Sequence, residues 1–124
     1  MGTVVSDSID EDIGPGMLAA AISNAMVQLL HRYTGRGPVR ARTTIGEDLI
    51  VCVMGATLTR AELSLVGNGK HDVVLEGRRA FQDTIQADAE DLVYELTGRR
   101  VSAFMSTNHI EPDLAVEVFV LEPV

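Results

Sequence analysis

The 124-residue chain holds one cysteine, Cys52, and one lysine, Lys70. A lone cysteine excludes an internal disulfide framework and any cysteine-based metal cluster, and it suits a reducing compartment. No apolar run reaches the roughly 18 residues of a membrane span. The N-terminal residues are acidic where a signal peptide would place basic ones, so the expected location is cytoplasmic, peripheral to a membrane only through a partner. Basic charge is scarce as well: ten Lys and Arg against 18 Asp and Glu give a net charge of −8. That balance leaves no surplus to neutralise a phosphate backbone, and nucleic acid is not an expected partner. Asp7, Asp10, Glu11 and Asp12 sit in the leading segment, and the remaining 14 acids outnumber the basic residues by four. A mildly acidic body fits a partner with a basic surface better than a bare anionic membrane.

Motifs of catalysis and cofactor binding are missing too. There is no glycine-rich loop of the Walker or dinucleotide type. His31, His71 and His109 are scattered without metal-ligand spacing, so neither a metal nor a cofactor is expected. Ser23, Ser64, Ser102 and Ser106 have no nucleophile-elbow setting, and Cys52 lies in an apolar run where a thiol is inert core. The expectation is a protein without enzymatic activity.

What is present is a core-forming composition, 46% hydrophobic, in a length suited to one domain. Residues 1–16, ending in Gly14, Pro15 and Gly16, read as a disordered acidic tail, and 17–124 as a single domain. From Met17, Leu18, Ile22, Ala25, Met26, Leu29, Leu30 and Tyr33 recur at three- and four-residue steps, one face of an amphipathic helix. Ser23, Asn24, Gln28, His31 and Arg32 fall off that stripe. Gly35 and Pro38 stop the helix. Val39, Ala41, Thr43 and Ile45 then alternate with Arg40, Arg42 and Thr44, a strand with arginines on its outer side. After the Gly46–Glu47–Asp48 turn, Leu49 to Met54 is apolar on both faces, which predicts an inner strand or one covered by a partner.

Thr59 and Glu62 form a capping box ahead of a short helix that ends at Gly67, Asn68 and Gly69. A second long helix is predicted over 72–96, with Val74, Phe81, Ile85, Leu92 and Leu96 on its apolar face and an acidic exterior. Gly98 closes it as Gly35 closes the first. The triplet Thr34–Gly35–Arg36 recurs 63 residues later as Thr97–Gly98–Arg99, and each copy leads into a strand, a turn and a second apolar strand. Val101, Ala103 and Met105 alternate in a third strand, Thr107 to Asp113 reads as a polar loop, and Val116, Val118 and Val120 alternate in the last strand. The predicted fold is therefore α+β: two helix–strand–strand repeats forming a four-stranded, mainly antiparallel sheet with two long helices on one face. A bare opposite face would expose Cys52, Met54, Phe104 or Phe119. Such patches mark interfaces, so a homodimer is expected.

Nine of the ten basic residues are arginine, and Arg36, Arg40 and Arg42 cluster at the Gly–Pro turn. With Arg78 as a further donor, these guanidinium forks could hold a small anion or nucleotide; alternatively they bond nearby acids such as Glu47, Glu62 or Glu76.

Gly35, Arg36, Gly37 and Pro38, then Leu58, Thr59, Ala61 and Glu62, then Arg78, Gly98 and Val101, and finally Phe119, Val120 and Leu121 carry a resemblance. Over about residues 18–121 the chain resembles the MpsC-like family, small bacterial proteins named for a sodium-translocating, membrane-potential-generating system. It departs from the family at Met105 to Asn108, where relatives tend to carry His and Asp. The resemblance implies a cytoplasmic accessory protein of a membrane system that moves cations or takes up inorganic carbon, and no catalytic mechanism.

Overall fold

Helix α1 (Pro15–Thr34) begins with proline in its first turn, where a missing N–H costs nothing. Pro15 and Gly16 thus belong to the helix rather than to the leading segment. The structure, a computed structural model, describes residues 14–36 and 40–124; the expected tail over 1–13, and Gly37, Pro38 and Val39 of the first turn, lie outside them. Next come β1 (Arg40–Ile45), β2 (Leu49–Gly55), α2 (Arg60–Gly67), α3 (His71–Thr97), β3 (Val101–His109) and β4 (Leu114–Leu121). The predicted Thr107–Asp113 loop is shorter than expected. Thr107 to His109 continue the ladder, Asn108 opposite Ala115 and His109 opposite Leu114.

The sheet is antiparallel throughout, in the order β1-β2-β4-β3. The two apolar strands β2 and β4 occupy the centre, and the two strands richest in polar residues form the edges. The two helix–strand–strand units are related about the β2–β4 seam. Two backbone bonds show the correspondence: Leu121 N–H donates to Asp48 O at 2.9 Å, and Ala56 N–H to Asp113 O at 3.2 Å.

Both long helices lie on one face of the sheet. From α1, Ile22, Met26, Leu29 and Leu30 are buried; from α3, Val74, Ile85, Ala89 and Val93. Two expectations change here. Ser23 is buried, its hydroxyl bonded at 2.7 Å to that of Thr43 on β1. In the second half of α3 the buried line is Ile85–Ala89–Val93 in steps of four, leaving Leu96 38% exposed. Ala89 has almost no side chain, so it permits close packing along this line, while Leu92 is partly buried against the same core as expected.

Register then fixes which strand residues face the helices. Ile45, Ile50, Phe119 and Phe104 form one cross-strand row, and Ala41, Met54, Ala115 and Asn108 another. Between them runs Thr43, Cys52, Glu117 and Ser106. Cys52, Met54 and Phe119 are fully buried and Phe104 nearly so, with Phe104 and Phe119 in ring contact at 5.1 Å. The expectation that a bare face would show these four is therefore wrong. The other face, which no described element covers, carries Leu49, Val51, Val53, Leu114, Val116, Val118, Val120 and Met105, because a strand sends alternate residues to opposite sides.

Candidate functional site

The two Thr–Gly–Arg turns are built alike. Gly35 (φ 77°) and Gly98 (φ 71°) close α1 and α3 in the left-handed conformation, where a Cβ would be strained. Each preceding threonine bonds back to its helix, Thr34 Oγ1 to Leu30 O at 2.8 Å and Thr97 Oγ1 to Val93 O at 2.7 Å. Each following arginine N–H returns to that hydroxyl, at 3.2 Å for Arg36 and 3.0 Å for Arg99. The guanidinium groups then reach across the chain. Arg99 holds Glu47 O, the Asp48 carboxylate and Glu122 O at 2.6–2.7 Å, tying the β1–β2 hairpin to the C-terminal end of β4. Arg36 donates to Leu58 O.

Leu58 lies in the segment between β2 and α2, where polar groups concentrate. Thr59 and Glu62 make the predicted capping box, Glu62 N–H to the Thr59 hydroxyl at 3.2 Å and Thr59 N–H to Glu62 Oε1 at 2.9 Å. Asp113 occupies the position in the second unit that Asp48 has in the first. Its carboxylate accepts from Thr57 N–H at 2.9 Å, the Thr57 hydroxyl at 3.0 Å and Leu58 N–H at 3.0 Å.

Arg78 enters from α3 and is nearly buried. Its Nε meets Glu62 Oε2 at 2.6 Å, and Nη2 meets Glu62 Oε1 at 2.5 Å and Thr57 O at 2.8 Å. Nη1 reaches Thr57 Oγ1 at 3.3 Å and Asn108 Oδ1 at 3.2 Å. A guanidinium has five N–H donors, and these five contacts use them all. Burial alone would raise the Glu62 pKa, but the bonds and charge of Arg78, with those from Thr59, hold it below the usual carboxylate value.

One row along the sheet lies Glu117, 3% exposed, with Oε1 lacking a hydrogen-bond partner among the described residues. Burial pushes its pKa up to about 7, against the pull of Ser106 beside it on β3 and the charge of Arg78. Burial likewise raises the Cys52 thiol, opposite Glu117 on β2.

The four arginines singled out from the sequence do not converge. Arg36 and Arg78 serve adjacent carbonyls of the Thr57–Leu58 segment, whereas Arg40 and Arg42 project from the uncovered face. There the two arginines border a hollow of about 390 Å³ with Ala41, Val53 and Leu114. Neither makes a hydrogen bond or ion pair with a described residue, and Arg40 lies across Gly55, where a Cβ would come within 3.0 Å of its guanidinium. Strand alternation separates the two pairs, since Arg78 comes from the helical side and Arg40 and Arg42 occupy the outward positions of β1.

Among the described residues no group of three or more His, Cys, Asp or Glu is placed to hold a metal ion. No described helix is long and apolar enough to cross a membrane. Sequence reasoning missed Asp113, Thr57, Glu117 and Arg99. The internal repeat could have found two of them, Asp113 by its match to Asp48 and Arg99 by its match to Arg36.

A family model described as "Na+-translocating membrane potential-generating system (MpsC)" matches residues 15–123. An uncharacterised protein of Bacillus subtilis (strain 168), YbcI, is 27% identical over 92 residues, which cover 72% of this chain and 73% of that protein. No solved structure matches the chain.

Proposed function

The chain belongs to the MpsC family, and from that premise we propose that it is a non-enzymatic accessory module of a membrane system that translocates cations, acting by association rather than by chemistry. The uncovered sheet face carries this reading: a run of valine and leucine over β2 and β4 with Met105 half exposed beside it. Apolar patches of this continuity mark contact surfaces. The polar groups that could have served a reaction support it from the other side, because Arg78, Glu62 and Asp113 spend their bonds within the chain.

The test is affinity capture with tagged chain from detergent-solubilised bacterial membranes, read by mass spectrometry. Subunits of a cation-translocating assembly are expected to co-purify and to be displaced by excess untagged chain. Val118→Glu, which puts a charge at the middle of the face, is expected to lose them. Recovery of no membrane subunit, or recovery indifferent to untagged chain, would reject the proposal.

A second reading has a specific observation behind it: the Arg40–Arg42 hollow, whose guanidinium groups could hold a small anion such as bicarbonate, phosphate or a nucleotide. A bound anion would raise the unfolding temperature and saturate, at matched ionic strength, in wild type and not in Arg42→Ala. A flat response across the anion panel removes this reading.

A further inference from the structure

We infer that the uncovered sheet face is covered by a second copy of the same chain, packed sheet to sheet about a two-fold axis parallel to the strands. This rests on the association reading above and names the occupant of the face in the free chain, a weak dimer that gives the face up when the membrane subunits bind.

The face is organised in rows. Arg40, Gly55, Leu114 and His109 lie level with one another, then Arg42, Val53, Val116 and Thr107, then Thr44, Val51, Val118 and Met105. The middle of each row is apolar and uncharged, and the polar residues stand on the edge strands. A two-fold interface must be complementary to itself. Rotation about an axis along the β2–β4 seam lays β2 over the other copy's β4, so that Val51 and Val53 of one copy meet Val116 and Val118 of the other. The repeat within the chain places equivalent valines on both strands, so the two halves of the face have matching relief. Sheets stacked in this way settle about 10 Å apart with their strands nearly aligned.

Charge selects this axis over the alternative. Along the strands, the rotation carries β1 of one copy over β3 of the other and brings Arg40 beside the exposed Glu111, two residues past His109 in the β3–β4 turn. An in-plane axis perpendicular to the strands would instead set β1 against β1. Four guanidinium groups would then crowd one edge.

The size is adequate. Four strands ~4.8 Å apart, rising ~3.4 Å per residue over about seven residues, give a flat footprint of ~450 Å². Upright side chains raise the accessible area above that footprint, towards the ~600 Å² per partner at which stable interfaces begin. A dimer of that size dissociates on dilution.

Sedimentation velocity on the full chain, from about 1 µM to about 500 µM, separates the possibilities. Wild type is expected to be a dimer that dissociates towards the low end. Val118→Glu is expected to be monomeric at the highest concentration, with Thr44→Glu, nearer the edge, as the second variant should Val118→Glu fail to fold. Arg40→Glu is expected to raise the dissociation constant roughly tenfold, and Arg40→Glu combined with Glu111→Arg to restore it. A monomeric wild type at the highest concentration, or a dimer that neither Val118→Glu nor Thr44→Glu weakens, overturns the second copy. In either of those cases, membrane capture that still depends on Val118 leaves the association reading standing, and its absence removes both.

Discussion

Glu117 makes the fold pH-dependent in a direction opposite to that of most carboxylates. In the unfolded chain its carboxyl has the ordinary value of 4.5, and in the folded chain about 7. Between these values the folded state holds a proton that the unfolded state has released, so folding stability falls as pH rises. The contribution is fully present below 4.5 and is lost as pH climbs through 7. The interval from 4.5 to about 7, at ~1.36 kcal/mol for each pH unit, amounts to about 3 kcal/mol. Glu117→Gln removes the titration while keeping the size and a neutral polar head. Urea unfolding at pH 5, 6, 7 and 8, with linear extrapolation, is the assay. The two proteins are expected to lie close together at pH 5, and the Gln variant to be ahead by roughly 3 kcal/mol at pH 8. The window is clean at both ends. Glu62, with its lowered pKa, loses its contribution only below the ordinary carboxylate range, and Cys52, with its raised pKa, adds its own loss only above pH 9. Parallel pH profiles for the two proteins between pH 5 and 8 would refute the reasoning, because Glu117 would then be ionised in the folded core or solvated through it.

Arg78→Ala leaves the Glu62 carboxylate, Thr57 O and Asn108 without their partner in a largely buried place and is expected to cost about 3 kcal/mol by urea unfolding; Arg78→Lys recovers only part of it, because one ammonium cannot reproduce the five-donor fork. Gly98→Ala forces a side chain into the left-handed cap of α3 and is expected to cost about 1 kcal/mol, a loss of several degrees in the thermal midpoint, even though the added methyl meets no neighbour. The control Ser102→Ala, on the exposed edge of β3, should change stability by less than about 0.5 kcal/mol.

Much of this fold is written in local chemistry. Glycine after each threonine, with no Cβ to strain a positive φ, marks where both long helices must end. The Thr59–Glu62 spacing supplies a reciprocal cap that depends on four residues alone. The apolar run from Leu49 to Met54 marks β2 as an inner strand, paired along both edges, although the helices cover only one of its faces. The recurrence of Thr–Gly–Arg exposes the duplication from which the helix–strand–strand organisation follows.

Parity across the sheet was not legible in the same way. In β4 the single charge among valines, Glu117, reads as a mark of the solvent side, which would send Val116, Val118 and Val120 inward. The structure does the reverse, because Ala115, Phe119 and Leu121 on the glutamate's side fit beneath the helices and carry the carboxyl with them. One buried acid is tolerated where two-residue alternation allows no other placement for a phenyl ring and a leucine. The same parity divides the arginines. Their clustering within seven positions suggested a joint site, but Arg40 and Arg42 point away from the helices, and Arg78 is saturated by groups drawn from Thr57, Glu62 and Asn108, up to 30 residues away. Sequence by itself determined which elements form and where most of them stop and turn, the first residues of α1 and the end of β3 apart, because caps, breakers and periodicity act over a few residues. Which face of the sheet the helices cover, and therefore which acid is buried and which apolar strand face no described element covers, was decided only by the packing of distant side chains against one another.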